Sequence, residues 1–211
     1  MTVITEEQLG NPAIYQYLLK LVGEEGLELL RRWSDVEYAR RWIEAKLSSE
    51  DLKASDKARF LAESRRSDEE LTGAERSDEE IAELTGINLN SVRHTLYNLY
   101  EHRLAEYRRI KNNETGWLTY LWLMRMDHMN MVLRNVMEVA AGKLAGRLRY
   151  DEANDFYQCK NCGITTTFNN AMTTNFSCPH CGTMLVHFDD ELIVAALKKR
   201  LAKMQTALDN A

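Results

Sequence analysis

The sequence has no long apolar run and only two prolines among its 211 residues. A helix that spans a membrane needs about 20 consecutive apolar residues, and no stretch approaches that length. The first ten residues, MTVITEEQLG, lack the basic segment followed by an apolar one that is typical of a secretory signal. We therefore expect a cytoplasmic, nucleoid-associated protein without membrane contacts.

An excess of positive charge is also missing. Lys and Arg total 27 against 32 Asp and Glu, which gives a formal net charge of −5. A protein that coats duplex DNA needs a basic face to neutralise phosphates, so contacts with nucleic acid must be local or delivered by a partner. No Gly-rich phosphate loop and no Ser-His-Asp grouping stands out. The sequence therefore offers no recognisable catalytic motif.

Cysteine is absent everywhere except in one segment, where four thiols form two C-x-x-C-G motifs. The first pair is Cys159 and Cys162, and the second, fifteen residues later, is Cys178 and Cys181. This spacing is typical of a tetrahedral zinc site, and four thiolates fill the coordination sphere of Zn²⁺. The pattern predicts one structural zinc ion, because no position remains for a catalytic water.

Short β-prone runs flank the thiols at residues 156–158, 164–168 and 184–188. Two metal-binding knuckles on hairpins, with a small sheet between them, describe a zinc ribbon. Other interpretations are two disulfides, a rubredoxin-like iron site, and a thioredoxin-like redox pair, although the last lacks its βαβ context. His180 or His187 is a further possible ligand, but four cysteines already suffice.

A helix-turn-helix is predicted from the segment SDEEIAELTGINLNSVRHTLYNLYEHR. Ser77 and Glu80 form a capping-box pattern that opens a helix. Ala82, Gly86 and Val92 have the spacing typical of this motif. The small Ala82 lets the two helices cross closely, Gly86 lies in the turn, and Val92 packs the second helix against the first. We expect Asn90 or Ser91 to cap that second helix, which runs to about residue 103.

In the next segment, AEYRRIKNNETGWLTYLWLM, side chains alternate as they do in a strand. A turn follows at residues 111–116, and a second strand-like stretch comes after it. This pattern predicts a β-hairpin, the wing of a winged helix. Basic residues gather there beside aromatic ones, a combination that suits single-stranded DNA or a protein groove. The candidate DNA or polymerase interface comprises Arg93 on the second helix and, on the wing, Tyr107, Arg108, Arg109, Lys111, Trp117, Tyr120 and Trp122.

Helical patterns fill the rest of the chain. Asn11 and Pro12 indicate a helix start, and residues 34–76 form a charged insert that we expect to be a solvated helical excursion, with a helix capped by Ser34. The predicted fold is mainly α with small β. Its domains are a winged helix at 1–126, a linker helix at 127–152, a zinc ribbon at 153–190 and a C-terminal helix at 191–211.

The order of these motifs resembles the alpha subunit of archaeal transcription factor E, a relative of the larger subunit of the eukaryotic general factor IIE. The resemblance covers about residues 10–33 and 77–190 and includes ETGW and the pair YQCKNCG and FSCPHCG. The insert at 34–76 departs from the family pattern, which has a short connection there.

The resemblance implies a factor for transcription initiation that is not an enzyme. Such a factor binds RNA polymerase at its clamp and stalk, contacts the non-template strand at the upstream edge of the bubble, and favours the open complex assembled with TATA-binding protein and factor B. Some family members pair with a beta subunit. The alternative is a winged-helix regulator that reads duplex DNA and carries a structural zinc ribbon. A third hypothesis is a redox or metal-sensing switch that uses the four thiols.

Overall fold

The computed structural model describes residues 3–49, 52–111 and 116–209. The chain divides into two compact units, with the boundary between Val132 and Leu133. The first unit contains α1 (Glu6–Gly10), α2 (Pro12–Ser34), α3 (Val36–Leu47), α4 (Ala54–Glu63), α5 (Asp68–Thr72), β1 (Arg76–Ser77), α6 (Asp78–Thr85), α7 (Leu89–Glu101), β2 (Ala105–Lys111), β3 (Leu118–Met124), a 3₁₀ turn (Met126–His128) and the first residues of α8 (Met129–Glu152). The mainly α fold with small sheets is confirmed.

The long helix α2 begins as its sequence predicts. The Asn11 side chain accepts a hydrogen bond from the backbone N–H of Ala13 at 2.9 Å, and Pro12 occupies the first helical position. The helix is kinked at Gly23, whose φ of 72° is a conformation that favours glycine. Beyond the kink its inner face, including Leu29, Leu30 and Trp33, is buried in the core of the first unit.

The helix-turn-helix pattern is formed by α6 and α7. Ser77 and Glu80 make both hydrogen bonds of a capping box. Val92, Leu96 and Leu99 of α7 are fully buried. The predicted cap at Asn90 or Ser91 is wrong, because α7 already begins at Leu89 and the Asn88 side chain accepts the hydrogen bond from the Asn90 N–H.

Gly86 ends α6 in the left-handed region at φ 70°, and its N–H donates to the carbonyl oxygen of Ala82 at 2.8 Å. A side chain at this φ is strained. We expect Gly86→Ala to lower the free energy of unfolding by about 1 kcal/mol, measured by urea titration.

Gly142→Ala is the matched control, because Gly142 lies inside α8 with open space around the position of a Cβ atom. There the same substitution is expected to leave stability unchanged or raise it by up to about 1 kcal/mol. Equal effects at the two sites would contradict the role of the left-handed turn.

The insert was predicted to be a solvated helical excursion, and this prediction is wrong. It forms three helices whose apolar side chains are buried in a shared core. Buried side chains of α3, α4 and α5 pack against Leu84 of α6, so the insert is attached to the helix-turn-helix. The cap of α3 is Asp35, not Ser34, because α2 extends through Ser34. The Ser34 hydroxyl instead accepts a hydrogen bond from the N–H of Ile4. The sequence concealed this core because its apolar residues are spread over three short, highly charged helices.

A buried ion pair links α4 to β1. Arg76 is 1% exposed, and its guanidinium lies 3.3 Å from the carboxylate of Glu63, which is 4% exposed. The same guanidinium lies 4.8 Å from the ring centroid of Trp42. Arg59 contacts both Glu63 (3.2 Å) and Glu80 (2.8 Å) and so connects α4 to the start of α6. Burial lowers the pKa of Arg76, and the Glu63 carboxylate opposes that shift.

The predicted wing is an antiparallel sheet with strand order β1-β3-β2. Its register places Tyr107 opposite Trp122 and Arg109 opposite Tyr120. These residues share one face with Lys111, whereas Arg108 points to the other face because strand side chains alternate. The turn predicted at residues 111–116 falls largely on 112–115, which are outside the described residues.

The second unit contains most of α8, then β4 (Phe156–Cys159), β5 (Thr165–Thr167), α9 (Phe168–Thr173), β6 (Leu185–Phe188) and α10 (Glu191–Asp209). Its antiparallel sheet has the order β5-β4-β6. The strand predicted for residues 164–168 is shorter, since Phe168 begins a helix instead. No helix in the described ranges combines the length and apolarity that a bilayer span requires.

Candidate metal centre and wing surface

The four thiols meet at one point in the second unit. The Sγ atoms of Cys159 and Cys181 are 3.4 Å apart, those of Cys162 and Cys178 are 3.5 Å apart, and those of Cys162 and Cys181 are 3.7 Å apart. All four sulfurs lie within 4.8 Å of one another. Zn–S bonds of about 2.3 Å in a tetrahedron require S···S distances of about 3.8 Å, so the donor set fits one zinc ion. The same distances are too long for the disulfide interpretation.

The two knuckles repeat one backbone design. In the first, the N–H of Cys159 donates to the carbonyl of Ile164 and the N–H of Gly163 donates to the carbonyl of Cys159, both at 2.9 Å. In the second, the N–H groups of Cys178 and Gly182 make the equivalent bonds at 2.8 and 2.9 Å. Both glycines have φ above 70°, which explains why glycine follows each second cysteine.

Burial and protonation distinguish the thiols. Cys159 and Cys178 are buried, whereas Cys181 is exposed. Hydrogen bonding with the Thr183 side chain and backbone lowers the pKa of Cys181 to about 5. The pKa of Cys162 is about 12: a backbone hydrogen bond with Ile164 lowers it, but desolvation and the neighbouring thiols outweigh that effect. Metal binding requires deprotonated thiols, so a cation held by the four sulfurs would offset the raised pKa of Cys162.

Neither histidine near the thiols joins them. Within the described ranges, the metal-ligating group at this place consists of the four cysteines alone. The His187 ring instead packs edge-on against Tyr157, with centroids 5.5 Å apart. A four-coordinate site made only of thiolates is closed to substrate and has a structural role.

An aromatic cluster covers the junction of the wing and α7. Tyr107 lies 5.2 Å from Tyr120 and 5.1 Å from Trp122, between ring centroids. Tyr97 and Tyr100 of α7 complete it, at 5.6 Å from Trp122 and 4.9 Å from Tyr107 respectively. Trp122 is buried, while Tyr97 and Tyr100 are 51% and 45% exposed. Sequence analysis missed these two tyrosines, although their i, i+3 spacing in LYNLY is the signal that places them on one helix face.

The basic candidates differ in how far their charge is already neutralised. Arg93 is exposed but pairs with Asp78 and with Glu79 (2.9 Å) at the start of α6. Arg108 pairs with Glu75. Arg109 and Lys111 are exposed and make no ion pair with any residue that the structure describes. Trp117, at the start of the returning strand, is 76% exposed. The basic charge still available to a ligand therefore lies on the wing face that carries Tyr107 and Tyr120.

Two protein-family models match the chain at consecutive segments. The TFIIE alpha subunit matches residues 68–153, which include α6, α7, the wing and α8. The TFIIB zinc-binding ribbon matches residues 157–200, which contain all four cysteines. The ribbon match identifies zinc as the metal that suits this tetrathiolate site.

Full-length similarity connects the chain to named relatives. It is 95% identical to transcription factor E of Methanocorpusculum labreanum over 100% of both chains. The factor of Methanospirillum hungatei is 45% identical over 96% of each chain, and that of Haloarcula marismortui is 31% identical over 97% of this chain and 94% of its own. A solved structure of a possible transcriptional regulator from Methanosarcina mazei Go1 is 16% identical and covers 53% of this chain and 87% of its own, with a TM-score of 0.33. The full-length identities show that the chain belongs to the transcription factor E family of general transcription initiation factors.

Proposed function

We propose that this protein binds RNA polymerase at its clamp and stalk and stabilises the opened promoter by holding the non-template strand at the upstream edge of the bubble. It acts in the complex that contains TATA-binding protein and factor B. The observation that carries this proposal is the aromatic cluster at the junction of the wing and α7, in which Tyr97 and Tyr100 are exposed. Arg109 and Lys111 lie on the same face of the wing and make no ion pair with any residue that the structure describes.

Aromatic rings beside cations suit single strands, because unpaired bases stack on aromatic side chains while the cations meet the phosphates. Duplex DNA offers no free base faces, and its major groove requires a helix with available donors. The charge of Arg93 on α7 is already engaged by two carboxylates. With a net charge of −5, the protein relies on the polymerase to bring it to DNA, and the wing then contacts only the melted strand.

Promoter opening follows from differential affinity. A factor that binds the open complex more tightly than the closed complex shifts the equilibrium by the ratio of the two affinities. A tenfold preference corresponds to about 1.4 kcal/mol. A few stacked bases, at about 1–3 kcal/mol each, supply such a preference because the closed duplex does not present them.

In this proposal the zinc ion, held by Cys159, Cys162, Cys178 and Cys181, has no role in chemistry. It supplies the folding energy of the ribbon, which in turn presents a protein-binding surface. The absence of an open coordination position in an all-thiolate site supports this division of roles.

Reversing the charges of Arg109 and Lys111 tests the proposal. The double variant Arg109→Glu and Lys111→Glu is expected to reduce open-complex formation at least tenfold in a permanganate assay, because two phosphate-contacting cations become repulsive. Binding to the cognate polymerase, measured by co-migration, is expected to change less than threefold. Adding Arg108→Glu should reduce open-complex formation less than Arg109→Glu or Lys111→Glu does, because Arg108 already pairs with Glu75.

Arg65→Glu and Arg66→Glu provide a control with the same change in charge on an exposed segment between α4 and α5. If the wing variant lost promoter opening and polymerase binding to the same extent, the wing would be a protein-docking surface. Tight, sequence-specific gel shifts of closed duplex by the protein alone would favour a duplex regulator instead.

A further inference from the structure

The last helix, α10, exposes an unusual amount of apolar surface. None of its residues from Glu191 to Asp209 is buried. The helix meets α8 at the ion pair between Lys198 and Glu152, and α10 together with Met137 of α8 lines a shallow groove of about 560 Å³ within the second unit. Its floor consists of Met137 of α8 and of Ala196, Met204 and Ala207 of α10. At the N-terminal end of the same helix, Ile193 is 46% exposed. An apolar floor of this kind is stabilised when another apolar surface covers it.

The dimensions of the groove suit a helix. From Ala196 to Ala207 the rise along α10 is about 17 Å, or three helical turns. The small alanines permit close approach of a second backbone, and the two methionines adapt to differently shaped side chains. A groove between two helices with an apolar floor is a common receptor for one face of an amphipathic helix.

The rim of the groove determines the charge of the occupant. Lys199, Arg200 and Lys203 line it, and its described lining includes no carboxylate. Within the part of the chain that the structure describes, these three cations have no ion pair, whereas the neighbouring Lys198 pairs with Glu152 at 2.7 Å. Cations flanking an apolar floor are complementary to acidic side chains that flank an apolar stripe.

We propose that this groove receives an acidic amphipathic helix from a partner protein. Pairing with α10 of a second copy would place like charges in contact and is disfavoured for that reason. Nucleic acid is disfavoured because its backbone offers nothing to cover the methionines and alanines of the floor. The groove lies outside the wing, so this proposal and the wing proposal fail independently.

The test uses the full-length, zinc-loaded chain and three fluorescent 16-residue peptides. The first has leucines at helical spacing flanked by glutamates, the second has lysines in place of the glutamates, and the third keeps the glutamates but replaces leucine by glutamine. Fluorescence anisotropy is expected to show binding of the first peptide only, with affinity that falls as salt is raised.

Charge reversal of the rim provides a specific readout. Lys199→Glu with Lys203→Glu is expected to weaken the acidic peptide at least tenfold and to gain binding of the basic peptide. Lys143→Glu with Arg149→Glu, which changes the charge equally at exposed positions of α8, should change affinity less than threefold. Met204→Gln leaves the charges intact and is expected to weaken the acidic peptide several-fold, with far-UV circular dichroism confirming that α10 remains helical.

Several results would overturn the proposal. These are equal binding of all three peptides, equal losses in the two reversed variants, and failure of the basic peptide to bind the reversed rim. If an equal concentration of a 20-nucleotide single strand or duplex displaced the acidic peptide, the ligand of the groove would be nucleic acid. A dimer in sedimentation that dissociates on rim reversal would make the occupant a second copy.

Discussion

Replacing Cys162 with serine is expected to unfold residues 153–188 while the winged-helix unit keeps its own melting transition. Zinc binding by tetrathiolate domains contributes about 10–16 kcal/mol of folding energy. The buried core of the ribbon is small, and two of its four members, Cys159 and Cys178, are themselves thiol residues of the site. A ribbon with only three thiolates for zinc therefore loses most of its folding free energy.

Two-dimensional NMR of the full chain measures this effect directly. Ribbon resonances should collapse to random-coil positions, zinc content should fall from one ion per chain towards zero, and strong chelators should reproduce both results with the unmodified protein. Thr165→Ser, a small change at an exposed ribbon position outside the thiol cluster, should retain zinc and the folded spectrum. Simultaneous melting of both units would show that they form one cooperative structure.

The second large effect is expected at the buried ion pair. Glu63→Gln should lower the free energy of unfolding of the first unit by about 3 kcal/mol, because it removes the carboxylate that pairs directly with the buried Arg76 guanidinium. That loss is a large fraction of the 5–15 kcal/mol typical of whole domains. Urea unfolding followed by tryptophan fluorescence is the measurement, since Trp42 lies against the Arg76 guanidinium.

Two further variants define the cause. Glu63→Gln combined with Arg76→Met should recover most of the lost stability, because no charge is then buried. Glu37→Gln removes the carboxylate of a highly exposed pair with Arg41 and should change stability by less than about 0.5 kcal/mol. If the single and double variants were equally unstable, side-chain packing rather than charge would explain the loss.

The sequence predicted those parts of the molecule whose signals are local. A capping box, a glycine that ends a helix and two C-x-x-C-G motifs each depend on a few adjacent residues, and all appear as expected. The insert was misinterpreted because its core depends on Trp42, Phe60 and Leu71 meeting from three separate helices. The segment after Ile164 is rich in threonine, which favours strands, yet Phe168 begins a helix there.

The wing surface was only partly predictable for the same reason. Alternation separated the two faces of the hairpin, but it gave no sign that Arg108 would meet Glu75 or that α7 would add Tyr97 and Tyr100. The Arg108–Glu75 and Tyr97–Trp122 contacts join residues 33 and 25 positions apart in the sequence. A single sequence carries no local signal for them.

The pentapeptide Arg-Ser-Asp-Glu-Glu occurs at residues 66–70 and again at 76–80, and each copy opens a helix with a complete capping box. Arg66 is at the surface, whereas Arg76 is enclosed. Each copy therefore carries its own signal for beginning a helix, wherever it stands in the fold. Duplication of such a five-residue unit would therefore add a helix start without disturbing the one already present, because each capping box is closed by residues of its own copy.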